Sequence, residues 1–423
     1  MMYATKSRAI TTVTTLFFNC FPKHLRPASI ALLCIRWAIF ALCTLVLASC
    51  TSVYDTPYPL QDIRLPRDDA AHAAPIEWWY YTGHLQLEPT AAQPSDAAAV
   101  LEEYGFMLTF FKAYTPPDLR IFGIPAYWLI PKGYVGHFAL TDKNQQRFFM
   151  TERSSFEFRE AGASHEELDV FLGDWFVRRA PDGVSHDIHA YMDDAALWLR
   201  LTPEKPAALH GNPPGIQSMG PGGISYYIAY TRMAAEGKLY YNCYAAGLGC
   251  ERRHVRGQAW HDHQWGDFDV SSYAGWDWFS VQFDDNTELM LYLIREPSGA
   301  YIAREGSFID AQGQTIALYP EDFRLSETGA IWESPDTGAI YPMGWQIEVP
   351  EFAIDISVEP VMLQQEMDTR ATTGIVYWEG AVTVSGSHQG RGFVELTNYD
   401  LYPYGQTDEN TPLQPLRGPL EGF

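Results

Sequence analysis

The sequence predicts an all-β protein built of two consecutive antiparallel β-barrels, and three observations carry that prediction. Short aromatic and β-branched runs such as IEWWYYTGHLQLE and YGFMLTFFKAY recur from Pro75 onward, separated by Gly, Pro, Asp and Ser clusters. Helical periodicity long enough to define a helix is almost absent. The chain also resembles itself: EWWYYTGHLQL followed by YGFMLTFFKAY is echoed by WDWFSVQFDD followed by TELMLYLIRE. Further on, IHAYMDDAALWLRLTP leading to GISYYIAYTRM is echoed by IEVPEFAIDISVEP leading to GIVYWEGAVTV. The order is the same in both halves, which reads as duplication of one barrel unit. In small barrels of this kind the interior is filled by side chains or holds one small ligand.

The elements follow in order. No Asp or Glu occurs before Asp55, while Lys6, Arg8, Lys23, Arg26 and Arg36 precede the apolar run Trp37–Ser49. That layout reads as a signal peptide over residues 1–49, with an apolar run too short for a membrane-spanning helix. It ends in LASC, which looks like a lipobox with Cys50 as the lipidated residue. Residues 50–74, polar and Pro-containing, read as a lipidated tether. Residues 75–255 and 256–423 read as the N-terminal and C-terminal barrels, with the boundary just before Gly257. Of the chain's six cysteines, only Cys243 and Cys250 fall beyond Cys50. They bracket YAAGLG and read either as a disulfide in an oxidising compartment or as two free thiols. The expected location is the periplasmic side of a bacterial membrane, the outer membrane before the inner, with the lipid as anchor.

Composition narrows the function. The formal net charge is −23 over 423 residues, and the mature part, without its basic leader, is more acidic still. A nucleic-acid partner is excluded because phosphate binding needs a basic surface. No GxSxG elbow, no GxxxxGK[ST] loop, no GxGxxG opening a helix and no CxxC or HExxH pair is present, so neither a cofactor nor a metal is expected. Any chemistry must come from aromatic and carboxylate clusters.

The densest cluster is GQAWHDHQWGDF, Gly257 to Phe268. Strand alternation puts Trp260, Asp262 and Gln264 on one face and His261, His263 and Trp265 on the other. His261 and His263 point the same way, as a metal pair would, but no third ligand is identifiable. Asp262, among tryptophans, is either a buried carboxyl whose pKa desolvation raises, making it a proton donor, or a structural hydrogen-bond acceptor. In EWWYYTGH, Glu77 opens an aromatic strand and reads as a rim charge or a site carboxylate; Trp78 and Trp79 read first as core. GWDWF repeats the theme, with Asp277 between Trp276 and Trp278.

APIEWWYYTGHL, GGISYYIAYTRM, VRGQAWHDHQWG, GWDWFSVQFDD, LMLYLIRE, YPMGWQIEVP, YWEGAVTVSG and GRGFVELTNY, ordered from about His72 to about Tyr399, together resemble the AttH-like and CrtC-like family, which includes carotenoid 1,2-hydratase (hydroxyneurosporene synthase). The resemblance implies two lipocalin-like barrels. It also implies one of two functions. The first is a lipoprotein that binds a hydrophobic small molecule and serves an ABC permease and ATPase of the AttEFGH kind. The alternative is a cofactor-free hydro-lyase that adds water to an isolated C=C bond, with Asp262 as the acid, His263 orienting or deprotonating water, and Trp265, Trp276 or Tyr227 stabilising the cation. The resemblance to the hydratases covers Asp262, His263 and Trp265 residue by residue. Glu77, Trp78, Trp79, Tyr227, His261, Trp276, Asp277 and Trp278 are the expected ligand-binding residues.

Overall fold

The structure, a computed structural model, describes residues 62–88, 102–115, 120–121, 124–125, 132–157, 160–241, 251–408 and 410–414. The signal segment, Cys50, Cys243 and Cys250 lie outside the described residues. Among the described residues there is no α-helix, and two large antiparallel sheets carry the fold.

The first sheet holds β1 (Ile76–Leu87), β2 (Glu103–Tyr114), β3 (Lys132–Asp142), β4 (Arg147–Phe156), β5 (Ala161–Ala163), β6 (Asp169–Leu172), β7 (Trp175–Arg179), β8 (His186–Tyr191), β9 (Ala195–Pro203), β10 (Gly223–Tyr241) and β11 (Glu251–Phe268). The second holds β12 (Gly275–Phe283), β13 (Glu288–Arg295), β14 (Tyr301–Ile309), β15 (Thr315–Leu318), β16 (Arg324–Glu327), β17 (Trp345–Val349), β18 (Ile354–Pro360), β19 (Val376–Gly386) and β20 (Gly390–Thr397).

Their orders are β4-β3-β2-β1-β11-β10-β9-β8-β7-β6-β5 and β15-β14-β13-β12-β20-β19-β18-β17-β16. The second order repeats the first strand for strand through nine positions, so the duplication read in the sequence is a duplication of topology. Its boundary differs from the one expected. Residue 256 falls in the middle of β11, which pairs with β1 on one side and β10 on the other. The chain changes sheet between Phe268 and Gly275. The sequence misplaces the boundary because the repeat closes each unit with a long hairpin, β10–β11 and β19–β20, whose second strand returns to the first.

The first sheet curls until its ends meet, with Glu157 bridged to Ala161, and forms a nearly closed barrel. Its interior is filled by its own side chains, among them Phe106, Leu108, Phe138, Trp175, Leu197 and Leu199. The second sheet is a half-barrel: β15 and β16 do not pair, and its core cluster includes Phe323, Tyr341 and Trp345. A third apolar cluster, including Tyr80, Met107, Trp260, Trp278, Tyr292 and Phe393, lies between the outer faces of the two sheets. The sheets approach closely there: a Cβ on Gly105 would come within 3.0 Å of the Ala381 methyl, so glycine permits the contact.

The expected tether also changes extent. Residues 64–74 pack on the first barrel, where buried Asp69 pairs with Arg179 of β7. Trp79 Nε1 donates to the Asp69 carbonyl at 3.1 Å.

A bulge in β10 between Tyr230 and Met233 turns Thr231 and Arg232 toward the second sheet. There the buried Glu288 carboxylate of β13 accepts from Arg232 Nε at 2.6 Å and from Lys205 Nζ at 2.9 Å. Removing one member of such a buried network strands the other charges. Glu288→Gln is therefore expected to lower the unfolding free energy by about 3–5 kcal/mol in a denaturant titration; an unchanged midpoint would contradict the role of this network in joining the sheets.

Candidate active site between the two sheets

β1 and β11 are buried on both faces, so alternation sends their side chains to two different interiors. On the outer face, Trp78, Tyr80, Asp262 and Gln264 line a cavity of about 230 Å³ between the sheets. The second sheet closes it with Trp276, Trp278, Tyr292, Tyr377, Glu379 and Glu395. Tyr227 on β10 lines it as well. The walls are mostly apolar, with aromatic rings the commonest lining, and the acids stand out against them.

Asp262 is held from two sides: Tyr227 Oη donates to Oδ2 at 2.7 Å and Trp260 Nε1 to Oδ1 at 2.7 Å. Trp278 Nε1 in turn donates to Tyr227 Oη at 3.0 Å. Burial pushes the Asp262 carboxyl up to about 7, against the pull of those two donors. At neutral pH it is poised between acid and carboxylate. Glu395 is pushed up to about 8 by burial, opposed by the Trp276 Nε1 donor at 3.1 Å and reinforced by the charge of Asp262. Glu379 is raised further, first by burial and then by Glu395, with Tyr80 Oη donating to its Oε1 at 2.7 Å.

The duplication explains part of this arrangement. Asp262 stands opposite Tyr80 of β1, and Glu395 opposite Trp278 of β12. Since β11 and β20 hold equivalent places in their sheets, as do β1 and β12, the two acids occupy matching positions of the repeat.

The other face of β1 and β11 turns into the first barrel, and it takes several residues expected at the site. His263 Nε2 donates to Glu77 Oε1 at 2.8 Å, and its ring stacks on Trp79 with centroids 4.8 Å apart. Trp265 is sandwiched between His72 at 3.9 Å and Tyr226 at 5.2 Å. His261 donates from Nδ1 to the Tyr80 carbonyl at 3.0 Å and stacks on Tyr81 at 4.0 Å. Asp277, on the corresponding face of β12, takes Arg295 Nε at 3.0 Å and Tyr301 Oη at 2.7 Å. Of the expected residues, Asp262, Tyr227, Trp78, Trp276 and Trp278 meet at the cavity. His263, Trp265, Glu77, Trp79, His261 and Asp277 do not, because an odd spacing along a strand reverses the face.

Glu77 is the centre of a separate buried cluster. It accepts from His72 Nδ1 at 2.8 Å and from His263, and it pairs with Lys112. Burial alone would raise its pKa, but Lys112, His263 and His72 hold it far below the usual carboxylate range. His72, Glu77 and His263 bring ligand atoms within 4.8 Å of one another. The Lys112 ammonium, however, already sits on Glu77, and both imidazoles direct an N–H at it, so these residues read as an ion cluster and not as a metal centre. The histidine pair read from i,i+2 spacing is not a site either: His261 and His263 stack with centroids 6.5 Å apart and bond to different partners.

Sequence reasoning missed Glu379 and Glu395. Their signal was present: each is the lone acid inside an apolar strand, in VYWEGAVTV and GFVELTN, on the same cavity-facing alternation as its neighbours.

Comparison with known proteins agrees with this fold. The AttH-like family model matches residues 56–399. Among solved structures, an AttH protein from Nitrosomonas europaea is 30% identical, with a TM-score of 0.69 over 81% of this chain and 99% of that one. Kievitone hydratase from Nectria haematococca is 16% identical, with a TM-score of 0.59 over 82% of this chain and 96% of that one, a likeness of fold. No curated protein matches the chain.

The raised Asp262 value has a sign that can be tested. Asp262 ionises near 3.8 when unfolded and at about 7 in the fold, so the native state holds an extra proton between those values. Its stability contribution is present below the unfolded value and is lost as pH rises toward 7. Asp262→Asn removes the ionisable group and keeps the acceptor for Trp260, while its amide NH2 replaces the oxygen that accepted from Tyr227, whose hydroxyl turns to accept from it. It is expected to match the wild type in acid and to exceed it above neutral pH by up to about 4 kcal/mol, measured by unfolding across the pH range. A variant less stable at every pH would contradict the buried acid.

Proposed function

The chain belongs to the AttH-like family, and from that premise we propose that it binds an apolar, unsaturated small molecule between its two sheets and adds water across an isolated C=C bond, with Asp262 as the acid. One observation carries this reading: three carboxyls that burial keeps protonated or partly protonated line a cavity whose other walls are largely apolar and rich in aromatic rings. An apolar ligand is held there by burial, worth roughly 25 cal/mol per Å² of apolar surface. A carrier has no need of acids in its greasy pocket, since each costs stability.

The chemistry follows from the geometry. The Asp262 O–H breaks as its proton forms a C–H bond with one alkene carbon, leaving a carbocation on the other. The π faces of Trp78, Trp276 and Trp278 attract that charge. Water forms the C–O bond and gives up a proton to a cavity carboxylate, so alkene and water become an alcohol with no cofactor consumed. His263 and Trp265, behind the strand, take no part in this step; Tyr227 instead holds the acid, and Trp276 and Trp278 provide the aromatic wall. The family's hydratase branch points to an isoprenoid-like chain as substrate.

The segment LASC, read as a lipobox ending at Cys50, favours a second reading in the same cavity: a membrane-anchored lipoprotein on the periplasmic side that holds a hydrophobic ligand for an ABC export system. The two readings separate in one assay. Purified protein is incubated with an acyclic carotenoid in oxygen-labelled water, and the products are analysed by mass spectrometry. Hydration predicts a labelled tertiary alcohol, a rate that falls as pH rises through about 7, and a loss of about 100-fold or more in Asp262→Asn. Tight binding of acyclic isoprenoids with no labelled product would leave the carrier.

A further inference from the structure

The donors that line the cavity are for the most part spent on the protein itself. Tyr227 Oη donates to Asp262, Trp278 Nε1 to Tyr227, Trp276 Nε1 to Glu395 Oε1 and Tyr80 Oη to Glu379 Oε1. The two glutamates differ. Burial pushes the Glu395 carboxyl up to about 8 and raises that of Glu379 well above the usual carboxylate range. At neutral pH each therefore carries an O–H. Lys112, the one cation of the lining, is already paired with Glu77.

Neither O–H is used by the protein. An indole N–H can only donate, so the bond from Trp276 leaves the Glu395 proton unspent, and among the described residues no hydrogen bond reaches Glu395 Oε2. Glu395 also stays part-open to the cavity. Tyr80 and Glu379 hold two hydroxyl protons and share one hydrogen bond, so one proton is left over whichever of them donates. Glu379 Oε2 is buried and has no partner in the protein. The two residues stand directly opposite each other in the register of β19 and β20, about 5 Å apart at Cβ. Buried donors without acceptors are costly unless something fills the space beside them.

We propose that Glu379 and Glu395 form a two-donor site for a carbonyl oxygen, and that the molecule held between the sheets is an apolar, unsaturated ketone or aldehyde and not a pure hydrocarbon. A carbonyl oxygen has two lone pairs and no proton of its own, so it accepts from both acids at once. A carboxylic acid kept neutral by an apolar wall is a donor suited to that task. A hydrocarbon would leave both O–H groups without acceptors. An anionic ligand would enter an apolar cavity whose one lining cation is already taken. Tyr80 ties the oxygen site to the acid, since it stands opposite Asp262 in the register while its hydroxyl bonds Glu379. The carbonyl and the C=C bond at Asp262 are then two separate groups of one molecule. This deepens the reading of the cavity as a binding and hydration site and rests on it; the glutamates hold the oxygen and transfer no proton.

The probes are geranylacetone, an acyclic isoprenoid ketone with isolated C=C bonds, and the hydrocarbon in which a methylene replaces its carbonyl. Each is titrated into the purified protein at neutral pH, with binding followed by calorimetry. The wild type is expected to bind the ketone about 10-fold or more tighter, and the infrared C=O stretch of the carbonyl-labelled ketone falls on binding below its value in hexane. Glu379→Met and Glu395→Met each remove a donor at similar volume, so the ketone preference shrinks while hydrocarbon affinity holds, which also reports a folded variant. Glu379→Gln supplies an N–H in place of the O–H and keeps the preference. Equal affinities in the wild type, an unshifted stretch, or a preference untouched by both Met variants overturns the oxygen site. Binding of neither probe overturns it together with the cavity reading. A ketone bound with a lowered stretch but never hydrated leaves the oxygen site standing and ends the hydratase reading; hydration of both probes at equal affinity does the reverse.

Discussion

Side-chain alternation along a strand buried on both faces governs this molecule. β11 separates a barrel interior from an inter-sheet cavity, so neighbouring residues one position apart live in different environments. Asp262 looks into the cavity, while His261 and His263 look into the barrel. A slip of one residue in its register with β1 would place the histidines in the cavity and bury Asp262 among barrel aromatics. The two-sided pairing with β1 and β10, seventeen residues deep on the β10 side, prevents that slip.

Two carboxylates on these adjacent strands show what the separation achieves. Glu77 and Asp262 are both deeply buried, and desolvation pushes both toward the neutral form. Lys112 and two imidazoles reverse the outcome for Glu77, which stays ionised and ties the segment before β1 to β2 and β11. Asp262 has only neutral donors, Tyr227 and Trp260, and keeps a value near neutrality. The partner, and not the burial, decides which acid is structural and which can move a proton. The duplicated topology then sets Glu395 at the matching place in the second sheet, so the cavity gathers acids from both halves. Both barrels are filled by their own side chains, which leaves the seam between them as the space for a ligand.

Much of the fold was legible in the sequence. Aromatic strand runs and the two echoed pairs of segments reported a duplicated all-β architecture, and LASC and the basic leader lie outside what the structure describes. The boundary was not legible, because the returning strand of each hairpin joins the first strand of its own sheet, a long-range pairing that no local pattern encodes. Nor was the closure of the acidic segment near Asp69 onto the barrel, since Arg179 lies far along the chain. At the site, alternation had already sorted Asp262 from His263 and Trp265. Grouping them by motif discarded that information, while Glu379 and Glu395 passed unnoticed as single acids in greasy strands that meet only across β19 and β20.

The central claim is that two buried acids a strand apart carry opposite protonation states. Neutron diffraction from crystals held about one pH unit below the Asp262 value of about 7 would observe both directly. The account predicts a deuteron on an Asp262 oxygen, with Glu77 bare and flanked by deuterated Lys112, His72 and His263. A bare Asp262 carboxylate at that pH, or a deuteron on Glu77, would contradict it.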